Sequence, residues 1–354
     1  MTVTESPVPL QHGRHGAVHS PARALGIALV PPLTLLITFL WAFVAAFHQP
    51  QPHDLPLAIV APVPQSAAIT QGLSSHAPGA FHVERYATAS EARAAVRRDE
   101  LSGALIVRGR SARVLVAGAG GEAAKMTVVS ALSALAQGAR LRLAVDDLRP
   151  LPSHDPMGLS SFFVVFGVVI ASVIFGALLY LGRSALTLSM RLTALGIYVV
   201  LAGLFTALVV DPLLGALTDH FWQIAVLTGL LALAAASAVG ALGSLFRLPG
   251  IGLAVLLLVI LGNSASGGPV PYRFLPDGFR QISQYLPSGA AVTALRHAVY
   301  FDGQEMAGSV LVLLCWAAVG LIVLTTMGRL NARSRDRGPD QGDGILSGRR
   351  ETAG

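Results

Sequence analysis

The segment Phe221–Phe246, FWQIAVLTGLLALAAASAVGALGSLF, carries no charged side chain over its whole length. A helix that crosses the hydrocarbon core of a bilayer needs about 20 predominantly apolar residues. Four further segments have the same composition: Ala24–Phe47, Phe162–Gly182, Leu192–Val210 and Ala307–Met327. Of the 354 residues only 12% are charged, about half of the usual share in soluble domains. The sequence therefore excludes an ordinary soluble protein and predicts an α-helical polytopic membrane protein.

A sixth apolar run, Ile251–Gly262, extends over only 12 residues. A helix built on this run could extend backward through Leu245 and Phe246 or forward into the polar stretch Asn263–Gly268. The sequence does not decide between these two extensions. Counted as a span, it gives six spans and places both termini on the same side of the membrane.

With these six spans, the chain is predicted to consist of five regions: two terminal tails, a first transmembrane helix, an inserted domain and a five-helix transmembrane domain. Residues 1–23 are rich in His, Pro and Gly, and residues 331–354 are rich in Asp, Gly and Arg, so both are predicted to be disordered cytoplasmic tails. Residues 24–47 form transmembrane helix 1. An α/β domain at 48–158 is inserted between spans 1 and 2 on the extracytoplasmic side, and residues 159–330 form a five-helix transmembrane domain.

The arginines that flank the spans decide which side is cytoplasmic, because short cytoplasmic segments carry an excess of Lys and Arg. The loop Asp211–His220 has no basic residue, and the last loop on that side has three arginines. The segments on the side of the termini hold Arg14, Arg23, Arg183, Arg191, Arg247, Arg329, Arg333, Arg335, Arg337, Arg349 and Arg350. Both termini are therefore predicted to be cytoplasmic, in a cell membrane of the bacterial type. A signal peptide cleaved near Ala45 is the alternative for the first span, although its apolar run is long and contains Pro31 and Pro32.

The insert 48–158 alternates strand and helix patterns. A capping box, Thr88–Glu91, opens one helix because the Thr side chain caps the first turn and Glu reaches back to it. A second helix is predicted over Glu122–Ala139, where apolar residues recur at helical spacing. Strands are predicted at Leu57–Val60, Phe81–Tyr86, Gly103–Val107, Ala112–Val116 and around Leu141–Val145, with a turn at Arg108–Arg110 between the third and the fourth. About five strands and two or three helices indicate a small α/β domain.

Several classes of function find no support in the residues. Lys125 is the single lysine and no dense basic run is present, so the net charge of +6 does not indicate a nucleic-acid partner. The lone Cys315 excludes an internal disulfide. No catalytic or metal-binding arrangement stands out, so we predict that the chain is not an enzyme and carries no cofactor. The arginines of the insert are mixed with acidic residues, which indicates a solvated surface. The spans lack ionisable residues, which argues against a proton relay and leaves transport driven by a partner.

The segment Asn263–Tyr300 departs from the pattern of a simple loop. It begins with small and polar residues at membrane depth, where irregular backbone is tolerated only against protein or water. A short amphipathic helix is predicted after Pro276 and a second one after Pro287. Such helices can lie in the membrane interface or dip into it. We expect this re-entrant segment, residues 263–300, either to cap the bundle or to gate it.

Four stretches of sequence, together with the order of spans, carry a family resemblance. They are Ala89–Val96 (ASEARAAV), Leu101–Val107 (LSGALIV), Gly262–Pro269 (GNSASGGP), and Leu286–Gly289 (LPSG) with the residues on to Arg296. The chain resembles the type-2 ABC exporter permeases, and among them the branch related to the phage infection protein family. The resemblance covers roughly residues 24–330.

The resemblance implies a permease in the lipid bilayer that forms a homodimer or pairs with a related permease. It also implies a separate cytoplasmic ATPase subunit and export of a lipid, a drug-like molecule or another amphiphile. The loop Gly182–Arg191 would contact the ATPase through Arg183 and Arg191, unless these two arginines only set the orientation. The chain departs from the family in residues 1–23, which are poorly suited to an amphipathic surface helix. It has no Walker loop, so it does not bind ATP in that way.

By the same resemblance, eight residues would shape an outer gate: Asn263, Ser264, Gly267, Gly268, Pro269, Pro271, Pro287 and Arg296. The alternative is a non-transporting envelope membrane protein whose outer domain binds a surface polymer, a phage or a secretion partner. Six spans exceed what anchoring requires, which favours transport.

Overall fold

The computed structural model describes residues 21–336 of the chain. In chain order the elements are α1 (Pro21–Phe47), β1 (Leu55–Val60), α2 (Val63–His76), β2 (Phe81–Arg85), α3 (Ala89–Arg97), β3 (Gly103–Arg108), β4 (Ser111–Val116), α4 (Glu122–Gly138), β5 (Arg142–Asp147), α5 (Ser160–Leu181), α6 (Leu188–Leu208), α7 (Phe221–Phe246), α8 (Leu248–Ser264), α9 (Phe279–Ser283), α10 (Pro287–Tyr300) and α11 (Ala307–Asp336). Helix α1 begins inside the predicted tail 1–23, and α11 continues past residue 331 into the other one. The remainder of both predicted tails lies outside the described residues.

Five helices within the described residues are long and apolar enough to cross a membrane: α1, α5, α6, α7 and α11. They coincide with the five clear spans expected from the sequence, and the chain is consistent with a polytopic membrane protein. The stretch Val209–Leu213 continues α6 as a turn of wider, π-helical backbone.

The segment expected to be the sixth span lies in α8, a shorter apolar helix of 17 residues that starts at Leu248 and ends at Ser264 and is not among the five. Its central part, Val255–Leu261, is π-helical, a form that is rare outside single turns. Arg247, with φ 61°, reverses the chain between α7 and α8. The carbonyl of Leu242 lies so close to Gly250 that a side chain there would collide with it.

Helix α7 is the centre of the membrane bundle. In the most apolar stretch of α7, 83% of the residues are buried, whereas only 6% are buried in the corresponding stretch of α1. Small residues allow the neighbouring helices to approach it closely. A Cβ added to Gly176 of α5 would lie 2.8 Å from the carbonyl oxygen of Ala236 on α7. Such close backbone contact is typical of helix packing in membranes, where small residues line the interfaces.

The insert between α1 and α5 folds as a five-stranded sheet with the strand order β2-β1-β3-β4-β5. Strand β1 is parallel to β2 and β3, β3 and β4 form an antiparallel hairpin, and β4 is parallel to β5. The hairpin turn falls at Gly109, as the sequence predicts. Thr88 caps α3, since its Oγ1 accepts a hydrogen bond of 3.2 Å from the backbone N–H of Glu91. The predicted small α/β domain is therefore present, with the additional helix α2.

The two faces of the sheet are covered differently. Helices α2 and α4 pack on one face through a cluster that includes Leu73, Val128 and Leu132. Helix α3 covers part of the other face, and that cluster also contains Phe301 from the membrane domain. The domain is thus attached to the membrane helices through a shared apolar core, in addition to the chain connections at its two ends.

Candidate functional site in the re-entrant segment

The α/β insert, residues 48–158, is called the outer domain below, after the side of the membrane on which the sequence predicts it. The segment after α8 runs to this domain, returns into the bundle and then runs back to the domain through α10. On its outward part, the ring of Pro271 lies against Gly121, and the Arg273 guanidinium donates to the carbonyl of Asp54 at 2.9 Å. The chain then turns back through α9. At the start of α10 the hydroxyl of Ser288 lies 3.5 Å from the carbonyl of Leu258, which belongs to the middle of α8.

Helix α10 was expected to be amphipathic, and this expectation is wrong. Almost all of its residues are buried, from Pro287 to Ala298. Its small side chains, such as Ala290, Ala291 and Ala294, join the central core of the membrane bundle. The helix therefore exposes no polar face that could lie in a membrane interface, and it is enclosed between α5, α7, α11 and the outer domain.

Arg296 is the charged group at the centre of this arrangement. It is buried, with 9% of its surface exposed, and its guanidinium donates to three backbone carbonyls: Gly268 at 3.0 Å, Gly267 at 3.4 Å and Gly158 at 3.5 Å. Within residues 21–336 no carboxylate lies close enough to form an ion pair with it. A buried charge is costly unless it is hydrogen-bonded, so these carbonyls fix the irregular backbone around the arginine.

Two glycines allow the backbone to approach the guanidinium. Gly267 has φ +72°, a conformation that side chains rarely adopt, and Gly268 lies directly against the ring of Phe162. Replacing either glycine by a larger residue would push the carbonyl acceptors away from Arg296. The arginine and the two glycines are thus one structural unit.

A second polar contact joins the end of α10 to the start of α5. The buried carboxylate of Asp155 accepts hydrogen bonds from the backbone N–H of Leu159 (3.1 Å) and of Ser160 (3.3 Å), which caps the first turn of α5. It also accepts a bond of 2.5 Å from the hydroxyl of Tyr300. Burial, and then the bond to Asp155, raise the pKa of Tyr300 above its usual range. The tyrosine therefore stays protonated and remains a donor at physiological pH.

Two further contacts tie α10 and the residues after it to the outer domain. His297 lies 3.3 Å from the carboxylate of Asp99, and Arg149 pairs with Asp302. Asp99 stands in a tight turn after α3, with φ 62°. The other ring nitrogen of His297 is buried without a hydrogen-bond partner. The end of α10 is therefore held by polar contacts to the outer domain as well as by Phe301.

A cavity of about 190 Å³ lies between the re-entrant segment and the outer domain. Arg296 and His297 line it from one side, while Asp99 and Glu100 line it from the outer domain. The cavity is large enough for a few water molecules or one small polar group. It is too small for a whole amphiphile.

The structure separates the predicted gate residues into groups. Gly267 and Gly268 contact Arg296, as described above. Asn263 and Ser264 are buried at the end of α8 and donate to carbonyls of that helix, with Asn263 Oδ1 left without a partner.

The prolines fall into different environments. Pro287 is buried and opens α10 in the first helical position, where the missing N–H costs nothing. Pro271 touches the outer domain, as noted above. Pro269 is exposed. The eight residues therefore do not form one contiguous surface.

The two arginines of the predicted coupling loop also differ. Arg183 is exposed and stacks over the ring of Tyr180, with 4.1 Å between its guanidinium carbon and the ring centroid. Arg191 lies inside α6, is 6% exposed, and its Nε and one Nη have no hydrogen-bond partner. The loop is shorter than expected, because Thr187 caps α6 and the helix starts at Leu188. Of the two arginines, Arg183 alone is available to a partner.

Sequence reasoning missed the polar contacts made by Asp155, Tyr300, His297 and Asp99. Asp155 stands five residues before Ser160, outside the N-cap position from which side chains ordinarily cap a helix, so no local signal marked it. The other contacts join residues far apart in the chain, and no local pattern indicates them.

Within the described residues, no group of three or more His, Cys, Asp or Glu side chains is placed to hold a metal ion. No family model, no curated protein and no solved structure matches the chain.

Proposed function

We propose that this chain is the membrane-spanning permease subunit of an ABC-type exporter, which moves a lipid, a drug-like molecule or another amphiphile outward with energy from a separate ATPase subunit. The observation that carries the proposal is helix α10. It descends into the bundle to the level of Leu258 and ends against the outer domain at Tyr300. A membrane anchor needs no such element, whereas an exporter needs one that closes the outer end of its path.

In this proposal α8 is the sixth crossing and both termini are cytoplasmic. The reversal at Arg247 makes α8 run back along α7. The contact between Gly243 and Tyr180 joins the end of α7 to the end of α5, and the contact between Gly328 and Leu188 joins the end of α11 to the start of α6. The exposed Arg183 and Arg329 therefore stand at the same end of the bundle, which supports its assignment as the cytoplasmic end.

Pairing with a second permease is supported by the peripheral helices. In the most apolar stretch of each of these helices, few residues are buried: 6% in α1, 17% in α6 and 22% in α11. Apolar helix faces of this kind meet either lipid or another protein in the membrane. In a homodimer or a paired permease, two such bundles would enclose the path between them.

The polar contacts around α10 suggest how the path is closed at its outer end. Asp155 joins the start of α5 to Tyr300, so a displacement of α5 is passed to α10. Arg296 holds the irregular backbone of Gly267 and Gly268 against α10. In the resting state these bonds keep the segment in place, and ATP-driven movement of α5 releases it.

The proposal is tested by gentle extraction of the chain from its native membrane, followed by identification of co-purifying proteins. We expect an ATPase that is lost when Arg183 is replaced by Glu. Arg329→Glu is the matched control, because it reverses another exposed charge at the same end of the bundle, and we expect it to keep the ATPase.

Absence of an ATPase from every preparation would overturn the proposal and favour the envelope protein that binds through its outer domain. An ATPase that stays bound equally well to both variants would remove Arg183 from the contact while leaving the permease assignment standing.

A further inference from the structure

The outer domain carries a groove on the face of the sheet that α3 covers only in part. It has a volume of about 690 Å³ and is lined by residues of α3, β3, β4 and β5. Four arginines line it: Arg93, Arg108, Arg113 and Arg142. These arginines lie apart in the sequence, where they alternate with acidic residues and indicate an ordinary solvated surface. Only the sheet brings them together.

The register of the strands shows how the arginines share one face. Arg108 of β3 is opposite Ser111 of β4, and Ser111 is opposite Arg142 of β5. The Cα atoms of the two arginines are therefore two strand spacings apart, about 10 Å. Arg113 is two residues further along β4 and points to the same side of the sheet, since side chains alternate with a period of two. Arg93 borders the groove from α3.

The positive charge of the groove is only partly balanced. Asp146 is the single carboxylate paired with these arginines in the described part of the chain, at 2.9 Å from Arg113 and 3.6 Å from Arg93. Arg108 and Arg142 are exposed and form no ion pair in residues 21–336. None of the four arginines has another as its cross-strand partner, so the excess positive charge is spread over the whole groove. An anion bound among them would balance this charge.

The first turn of α3 adds to the same potential, because Ala89 and Ser90 line the groove. The N-terminus of a helix carries a partial positive charge and unpaired backbone N–H groups. The groove thus combines four guanidinium groups with a helix N-terminus around one open volume.

The location of the groove indicates where its ligand comes from. The other end of the sheet is the one attached to the membrane helices, through the cluster that contains Leu115, Leu148 and Phe301. Arg108 stands five residues along β3 from Gly103, which is about 16 Å at the usual rise of a strand. The groove therefore faces the aqueous phase, away from the bilayer surface.

We propose that this groove is a binding site for a water-soluble anion that carries two or more phosphoryl groups. Guanidinium groups bind phosphoryl oxygens through paired hydrogen bonds. Four guanidiniums and one carboxylate leave three positive charges in excess, which two phosphoryl groups match more closely than a single carboxylate does. The site is independent of the proposed transport function, because it lies wholly in the outer domain.

The test is calorimetric titration of the full chain, held in micelles of a neutral detergent, with sodium tripolyphosphate. Loss of one charge-assisted contact costs about 1.5 kcal/mol, so we expect Arg142→Gln to raise the Kd about tenfold. Arg108→Gln combined with Arg142→Gln should raise it further. Arg85→Gln is the matched control, because Arg85 is an exposed arginine on β2, the other edge strand of the same sheet. It should leave the Kd unchanged.

Further arms separate the alternatives. Arg142→Lys retains the charge but not the forked donor, so its Kd should lie between those of wild type and Arg142→Gln, which distinguishes loss of binding from loss of folding. Equal weakening by Arg85→Gln would show general charge attraction and overturn the proposal. Citrate that binds as tightly as tripolyphosphate would also overturn the proposal, because it carries no phosphoryl group. Binding to vesicles that contain phosphatidylglycerol, without binding of tripolyphosphate, would assign the groove to a membrane surface and also overturn it.

Discussion

Replacing Arg296 by methionine removes the guanidinium and leaves most of its aliphatic stem in place. The bond to Gly268, at 3.0 Å, has ordinary hydrogen-bond geometry, whereas the bonds to Gly267 and Gly158 are long. One good bond to a charged group contributes about 2 kcal/mol, and a buried carbonyl left without its donor adds a further cost. We therefore expect Arg296→Met to lower the free energy of unfolding by about 3 kcal/mol, after allowance for the desolvation of the charge that is no longer buried.

The assay is equilibrium unfolding of the purified chain in mixed micelles, followed by circular dichroism. Arg85→Met is the control, because the same substitution at an exposed site should change the free energy by no more than about 0.5 kcal/mol. Arg296→Lys retains the charge but not the forked donor, so its stability should lie between those of wild type and Arg296→Met. If Arg296→Met unfolds at the same denaturant concentration as wild type, the guanidinium does not fix the re-entrant backbone and the reasoning fails.

Three other predictions concern the contacts around this unit. Tyr300→Phe should destabilise the chain by about 1–2 kcal/mol, the value of a bond to a charged acceptor. Folding raises the pKa of Tyr300, so this stabilisation is complete below the unfolded pKa of about 10 and is lost as the pH rises through the pKa of the folded state. Equal stability of the Tyr300→Phe variant and the wild-type chain at pH 7 would contradict the prediction. Gly176→Val should abolish correct assembly of α5 on α7, whereas Gly167→Val on the same helix has free space around it and should behave as wild type in thermal unfolding. Gly267→Ala should destabilise more than Gly278→Ala, because both positions have positive φ but only Gly267 lies close to another residue, with Tyr272 N 3.0 Å from an added Cβ; similar melting temperatures would count against the close approach.

Composition and periodicity predict most of the fold. The five long spans follow from apolar length, because the bilayer imposes a nearly fixed helix length. The strands and helices of the outer domain follow from local signals, such as the cap at Thr88 and the hairpin turn at Gly109. These features depend on residues close together in the chain.

The features that the sequence does not reveal depend on tertiary contacts. A helix at the membrane surface would also carry a polar residue at the position of Arg296. The sequence pattern of α10 therefore does not reveal that the helix is enclosed in the bundle. Arg191 is suited to a loop by charge alone, yet the start of α6 at Leu188 places it in a helix and buries it. The arginine groove arises from strand register across β3, β4 and β5, which no local pattern specifies.

We propose that ATP bound to a partner subunit moves the re-entrant segment. Ser266 is 1% exposed and lies in that segment, so Ser266→Cys in a Cys315→Ser background reports its opening to a membrane-impermeant maleimide. Pro269→Cys in the same background is the control, because Pro269 is already exposed. In native membranes the account predicts slow labelling at position 266 that becomes several times faster with a non-hydrolysable ATP analogue, and rapid labelling at position 269 in both conditions. A labelling rate at position 266 that does not respond to the nucleotide would contradict the account.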